Sequence, residues 1–529
     1  MLCFGHFFAA PDRKKRDIIV VERVKRYGLF ACLFSVAVHA QSGDPKLVEA
    51  VKNQHMAVAR SLLSRPVNVN AREADGATAL HWAAYWDDPQ IAALLIHKGA
   101  KVNAADDLGV TPLSLACTNG SSAMVAKLLT AGANANAATS DGESVLMACA
   151  RSGDEAAVEA VLEHGAKINF NDNRDQQTAL MWAIAERHPG VVKILLKHGA
   201  DIRLRSRVTE SLVVRRGEEF GARIVCPPGV DWLPGKKSGE TSPCAKPVMA
   251  KNGGNTALLF AARMGDIESA RLLLAAGADV NDSAADKNSV LTIAVFSGRT
   301  ALAKYLLEAG ADPNWASAGY TALHLAVLRG DLELVKALLA DHASVNARLT
   351  QGTPVLRQNH ELHLSDALIG ATPAFLAARF LELDILRILI AAGGDPLLNL
   401  TDGTSSVMAV CGVGSQAYLT RRGNGTLGGV APPVDDDAAL EAVKLLVSLG
   451  ADVKASNSDG DTCLHGAAFH GYANVIEFLA SQGADLTAKN KAGQTPLDLT
   501  VETDNNIGQH EVRSAGVMLR KLLGSGKPE

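Results

Sequence analysis

An apolar residue returns along this chain at nearly constant intervals: Leu80, Leu113, Leu146, Leu180, Leu258, Leu291, Leu323, Ala374, Val407, Leu464 and Leu497. The interval is 32 to 34 residues except at three places, where it widens to 78, 51 and 57. A single globular core gives no reason for such a period, whereas stacked copies of one small unit do. The wide intervals then mark insertions of about 45, 18 and 24 residues between or within units. Length alone, 529 residues, suggests several domains of ~100–200 residues each. The period replaces that with one elongated array.

Each unit repeats one internal grammar. A glycine turn leads into a short helical start, as in Gly76-Ala77-Thr78-Ala79-Leu80-His81-Trp82-Ala83-Ala84. A second apolar-periodic stretch follows, as in Ile91 to Ile96, and the unit closes at Gly99-Ala100, where glycine can take the left-handed conformation that ends a helix. The closing pair returns at Gly132-Ala133, Gly165-Ala166, Gly199-Ala200, Gly277-Ala278, Gly310-Ala311, Gly450-Ala451 and Gly483-Ala484. Helices of about two turns are marginal alone, so the predicted stability comes from unit stacking on unit. Thin two-helix layers are filled by Ala, Leu and Val, which accounts for an aromatic content of only 5% beside 47% hydrophobic residues.

The motifs Thr78-Ala-Leu-His81-Trp-Ala-Ala84 and Thr321-Ala-Leu-His324-Leu-Ala326, with Thr111-Pro112-Leu113, Thr495-Pro496-Leu497 and the closings Gly277-Ala-Asp-Val-Asn281 and Gly310-Ala-Asp-Pro-Asn314, closely resemble the ankyrin repeat family. The resemblance implies an all-α solenoid of helix-turn-helix repeats with β-turn or hairpin tips. It places an N-terminal capping repeat at 41–75, four repeats over 76–208, three over 253–350 and three over 370–492, ten in all. A C-terminal capping repeat and tail occupy 493–529. It also implies that His81, His324 and His465 bond within the turn and tie neighbouring units together. His342-Ala343 and Gly393-Gly394 depart from the Gly-Ala closing, and unit 403–459 lacks the His and the second Ala, so less regular packing is expected there.

Residues 1–40 differ from the rest. Seven basic residues (Arg13, Lys14, Lys15, Arg16, Arg23, Lys25, Arg26) precede an apolar run from Gly28 to Val38, and small residues at Val38-His39-Ala40 close it. This is the pattern of a secretory signal peptide cleaved after Ala40. Leu29-Phe30-Ala31-Cys32 is similar to a lipoprotein cleavage box, but the apolar run before Cys32 is short for one, and the alternative for the whole segment is an unstructured tail. An eleven-residue run is too short to span a bilayer, which takes about twenty residues. The expectation is an exported, periplasmic or secreted protein of bacterial type, monomeric and without a permanent membrane span. Cleavage removes 7 basic and 3 acidic residues and moves the net charge from −4 to −8, which argues against nucleic-acid phosphate as a partner.

The insertions hold what chemistry-bearing material lies outside the repeat grammar. The first, 209–252, contains Pro227, Pro228, Pro234, Pro243 and Pro247, so no long regular element is expected in it. Cys226 and Cys244 bracket its middle; as a disulfide candidate they would close a loop of ~19 residues and contribute roughly 3 kcal/mol. The second, 351–369, carries His360-Glu361-Leu362-His363, which is not the His-Glu-x-x-His spacing of zinc hydrolases and reads better as a solvated loop. The third, about 412–437, includes Gly412-Val-Gly414 with Ala417, a formal dinucleotide-loop match without the strand–turn–helix context that motif needs. Cys117, Cys149 and Cys411 fall at or beside small positions of first helices, where buried free thiols are expected.

No nucleophile elbow or P-loop is present, and no catalytic residue, metal site or cofactor is predicted. By the family's pattern, the positions after the Ala-Ala pair face a concave groove: Tyr85, Trp86, Arg263, Met264, Phe296, Leu328, Arg329, Arg379, Phe380, Phe469 and His470. Aromatic and arginine side chains dominate many protein interfaces, although these could equally cover helix junctions. Trp82, Trp182 and Phe260, one residue after the His position, are expected in the core. The leading function is a non-enzymatic scaffold holding an unidentified protein partner, with a secreted effector as one variant. The rival is a metal-dependent accessory or enzyme whose site is built from His360, His363, Cys226 and Cys244.

Overall fold

The computed structural model describes residues 46–214, 247–352, 364, 368–413, 435–500 and 509–524. Along them short helices come in pairs. The first pairs are α1 (Lys46–Lys52) with α2 (Met56–Leu63), α3 (Ala79–Tyr85) with α4 (Pro89–His97), and α5 (Pro112–Asn119) with α6 (Ser122–Thr130). Next are α7 (Val145–Ser152) with α8 (Glu155–Glu163), and α9 (Ala179–Ala185) with α10 (Pro189–Lys197). Two strands, β1 (Val208–Val214) and β2 (Pro247–Gly253), separate these from α11 (Ala257–Met264) and α12 (Ile267–Ala275). Then follow α13 (Val290–Phe296) with α14 (Thr300–Glu308), α15 (Ala322–Arg329) with α16 (Leu332–Ala340), and α17 (Pro373–Arg379) with α18 (Leu383–Ala391). The last are α19 (Ser406–Val410) with α20 (Asp436–Ser448), α21 (Cys463–His470) with α22 (Ala473–Ser481), and a terminal α23 (Gln509–Leu522). First helices pack on first helices and second on second, so two parallel rows run along the solenoid.

The start of each first helix is fixed by a hydroxyl residue in extended backbone at the N-cap: Thr78, Thr111, Ser144, Thr178, Thr256, Ser289, Thr321, Thr372, Ser405 and Thr462. A side-chain oxygen there can accept an otherwise orphaned amide of the first turn. Aspartates do the same for many second helices, as Asp88, Asp154, Asp266, Asp331 and Asp435 show. The periodic position is buried to 2% exposure or less in every unit from Leu80 to Leu464. At Leu497 the pattern departs: a 3₁₀ turn, Leu497–Thr500, replaces the first helix and leaves Leu497 half-buried.

The tips between units form isolated antiparallel bridges, Arg72 with Thr78, Ala138 with Ser144, Asn171 with Thr178, Ser283 with Ser289 and Ser456 with Thr462. Neighbouring tips join through the backbone: the Asp107 amide donates to Asp75 O (2.9 Å), Ser140 to Leu108 O (2.8 Å) and Asn173 to Asp141 O (3.0 Å). The first insertion grows out of one such tip. Arg207 still donates to Asp175 O at 2.7 Å, Ser206 pairs with Asn255 O at 2.9 Å, and Val208 pairs with Gly253 at the root of the ribbon. The array is mostly helical with hairpin tips; within the first insertion, where no long regular element was expected, a seven-residue antiparallel ribbon extends one tip, its prolines falling at or beyond the far end at Pro247. The second insertion also leaves from a tip, closed by Leu349 donating to Ala371 O at 2.8 Å. The third lies between the paired helices α19 and α20.

Two other expectations are corrected. His342 adopts φ +63°, the region glycine takes at the other closings, and Asn314 donates to its carbonyl at 3.1 Å. Gly393 takes φ +87° with the matching bond from Asn346, also 3.1 Å. Both junctions are regular. Gly394 is required for space, since a Cβ there would lie 2.7 Å from Leu389 O.

Candidate binding surface

The repeated histidines are structural ties. The Thr78 amide donates to His81 Nδ1 at 3.1 Å, which leaves Nε2 to donate to Val110 O of the next unit at 3.1 Å. His465 does the same between Thr462 and Gln494 O, at 3.1 and 3.0 Å. His324 is fully buried and reaches Ala371 O at 3.3 Å, 47 residues on, where His81 reaches 29 on. The tie thus crosses the second insertion unchanged. Burial, partly offset by the Val110 carbonyl bond, lowers the His81 imidazole from its ordinary value; burial also brings His324 down to about 4.

The positions after the Ala-Ala pair lie at the C-terminal ends of the first helices, where carbonyls lack intrahelical partners. Trp86, Phe296 and Phe469 are exposed by 40%, 42% and 45%. Arg263 is exposed; Tyr85, Arg329, Arg379, Phe380 and His470 are half-buried. Met264 and Leu328 do not face solvent: both are buried, although Leu328 stands at the same register position as the exposed Phe296. Trp82, Trp182 and Phe260, expected in the core, are half-buried at its border. Trp82 Nε1 donates to Glu73 at 2.8 Å with Lys52 4.8 Å over its ring, whereas the buried Trp182 Nε1 has no partner among the described residues.

Much of this strip is engaged in covering helix ends. Trp86 Nε1 donates to Lys52 O (3.0 Å), Asn119 to Ala84 O and Tyr85 O (3.0 and 2.8 Å), and His188 to Arg151 O (3.1 Å). Arg299 donates to Arg263 O (3.2 Å), Arg329 to Phe296 O (3.1 Å) and Arg187 to Met264 O (2.5 Å). A cation at the negative end of a helix is favourable as well as a donor. Arg329 is therefore a junction residue, while the rings of Trp86, Phe296 and Phe469 remain presented. Tyr85 and Trp86 meet edge to face at 4.8 Å, and Phe469, His470 and Tyr472 form a similar cluster at the other end, with spacings of 5.1 and 5.9 Å. Burial raises the Tyr472 hydroxyl to about 12.

Some residues escaped the sequence reading. Leu108, at a tip, is 63% exposed, and its only signal was an apolar residue between Asp107 and Gly109. Cys117 and Cys149, expected as free thiols, are joined as a disulfide between adjacent first helices, with Cα atoms 4.3 Å apart. They lie on facing turns of α5 and α7, one period apart, which brings them together. Cys226, Cys244, His360 and His363 lie outside the described residues. Among the described residues no group of three His, Cys, Asp or Glu is placed to hold a metal, and no helix is long and apolar enough to cross a membrane.

Family models described as ankyrin repeats (3 copies) match residues 26–106, 47–139, 113–206, 281–349 and 435–511, and one described as ankyrin repeat matches 253–285, together more than half of the chain. The chain is 33% identical over 135 residues to Ankyrin repeat and SOCS box protein 6 of Pongo abelii, covering 24% of this chain and 30% of that protein. The Homo sapiens protein of that name is 32% identical over the same length and with the same coverage. Notch-regulated ankyrin repeat-containing protein of Homo sapiens is 50% identical over 40 residues, 8% of this chain and 35% of that protein. The chain spans about a third of the length of the curated relatives it matches.

Proposed function

Since the chain belongs to the ankyrin repeat family, we propose that it is a non-enzymatic scaffold of ten repeats and two capping repeats, holding a protein partner along its first-helix face. Ankyrin repeats are protein-interaction modules in general. The observation that carries the reading for this chain is the exposure of Trp86, Phe296 and Phe469 at the C-terminal ends of three first helices. Large aromatic rings held on rigid helix ends are the side chains from which interface hot spots are built. A net charge of −8 after leader removal favours a basic or amphipathic partner surface.

The scaffold works outside the cytosol in this reading, as a monomer in a periplasm or secreted space. The leader-like residues 1–40 support it, and so does the Cys117–Cys149 bond, since such bonds persist in oxidising compartments.

Capture from a cell-envelope extract tests the scaffold. Wild-type protein should retain a partner that the triple variant Trp86→Ala, Phe296→Ala, Phe469→Ala loses. Equal retention by both proteins rejects the aromatic face as the site. N-terminal sequencing of the mature chain tests the export reading: a start at Gln41 is expected, and a chain still carrying residues 1–40 rejects it.

A further inference from the structure

Two more cysteines meet across a junction between units. Cys411 caps the end of α19 and Cys463 is the first residue of α21, 52 residues on. Their sulfurs are 2.9 Å apart, closer than two sulfur atoms pack without an interaction between them, and both side chains are buried to 1% exposure or less. The relation repeats that of Cys117 and Cys149: in both cases the thiols sit on the first helices of neighbouring units.

The surrounding junctions lack a device found elsewhere. Asn70, Asn103, Asn136, Asn281, Asn314 and Asn346 each reach the closing turn of the next unit with a side-chain amide. The equivalent positions on the two sides of unit 9 are Leu397 and Lys454, which cannot make that paired bond. Unit 9 also carries the third insertion between its helices, and α19 has only five residues with which to pack on α21. Units 9 and 10 are also joined by the tip bond from Ser458 to Asp402 O (2.7 Å), the bond from Asn457 to Thr404 and the bonds of Asn474 and Val475 to Asp436 and Asp437; the thiol pair lies at the first helices, away from these.

We propose that Cys411 and Cys463 are the halves of a second inter-repeat disulfide, closed by exchange with a low-molecular-weight disulfide, and that this bond clamps unit 9 to unit 10. One protein thiolate attacks the oxidant and forms a mixed disulfide, releasing one small thiolate. The second protein thiolate attacks the protein sulfur of that mixed disulfide and releases the other small thiolate. Two protein thiols are oxidised, one disulfide oxidant is reduced to two thiols, and the two protons pass to the thiolates released. Burial pushes the Cys411 thiol up, so the reaction waits on opening of the junction. The bond therefore records that opening and then prevents it.

The test uses the purified full chain incubated with oxidised glutathione, then digested without reduction and mapped by mass spectrometry. A peptide pair linked through Cys411 and Cys463 is expected, and reduction should release it. Recovery of both cysteines as free thiols or as separate glutathione adducts, even after warming to open the junction, overturns the proposal. Hydrogen exchange gives a second readout: amides of 406–413 and 463–470 should slow by about tenfold on oxidation in the wild type and not in Cys411→Ser or Cys463→Ser. If the bond forms and exchange is unchanged, the clamp is overturned.

Discussion

Asn136 holds the end of the repeat that follows it: its Nδ2 donates to Gly165 O at 2.9 Å, and its Oδ1 accepts from the Lys167 amide at 2.8 Å. A single side chain thus satisfies a closing carbonyl and the amide two residues on. The same pair of bonds runs from Asn70 to Gly99 and Lys101, from Asn103 to Gly132 and Asn134, and from Asn314 to His342 and Ser344. The contact is exposed, so its worth is set by the two bonds less competition from water, on the order of 1–2 kcal/mol. Asn136→Ala should lower the denaturation midpoint by that amount and speed exchange at Lys167. Asn136→Asp keeps the acceptor but not the donor and should fall between. An Ala variant as stable as wild type would show that the clamp only follows the packing.

Acid should weaken the array through its histidines. His324 in the unfolded chain titrates near ~6.5, whereas in the fold it is held at about 4, so in the window between these values the unfolded chain binds a proton that the native state excludes. Stability is full above the unfolded value and is lost as pH falls toward about 4. The His324 share of the loss is on the order of 3 kcal/mol, and His81 adds in the same direction. Denaturant midpoints measured from pH 7.5 to 4.5 should fall in the wild type. The slope should flatten in His324→Gln, which keeps a side-chain amide at the same place. A slope unaltered by that change would assign the acid sensitivity elsewhere.

The disulfide between Cys117 and Cys149 closes a loop of about one repeat, which in the chain-entropy view is worth roughly 3–4 kcal/mol. Reduction, or Cys117→Ser with Cys149→Ser, should destabilise the units from α5 to α8 first, because solenoid stability is a sum over neighbours. Exchange in those helices should rise while that in α15 to α18 is unchanged. Uniform loosening of the chain would instead show one cooperative block.

Periodicity made the repeats legible because every unit must bury the same position, so Leu80 to Leu464 could be placed from spacing alone. The histidine ties were implied by the family resemblance, and the register only marked His81, His324 and His465 as equivalent. The disulfide also had a trace, since 32 residues separate Cys117 from Cys149 on neighbouring first helices. Cys411 and Cys463 left none: their separation of 52 differs from the local interval of 57, so only folding brings them together. The ribbon of 208–214 and 247–253 was hidden by the prolines at and beyond its far end, which say nothing of its root at Val208 and Gly253. Sequence also cannot tell a side chain that faces a groove from one that seals a helix end; both roles stood open for Arg329, and its bond to Phe296 O places it at a helix end.

That distinction gives the sharpest test of the surface. Arg329 donates to Phe296 O across the junction, and a Cβ on Gly298 would meet its guanidinium, so the side chain is seated in the structure. Phe296, on the first helix of the preceding repeat, is 42% exposed. Arg329→Ala should therefore cost about 1–2 kcal/mol of stability by uncovering a helix-end carbonyl. Phe296→Ala should leave stability within about 0.5 kcal/mol, as at most exposed positions. For a partner gripped through the aromatic face the order reverses: Phe296→Ala should weaken binding by about 2 kcal/mol, near thirtyfold, and Arg329→Ala far less. Denaturation and titration calorimetry on the two variants separate the cases. If both changes lower stability and neither alters affinity, the strip serves only to join repeats, and the partner must be sought at the tips, beginning with Leu108.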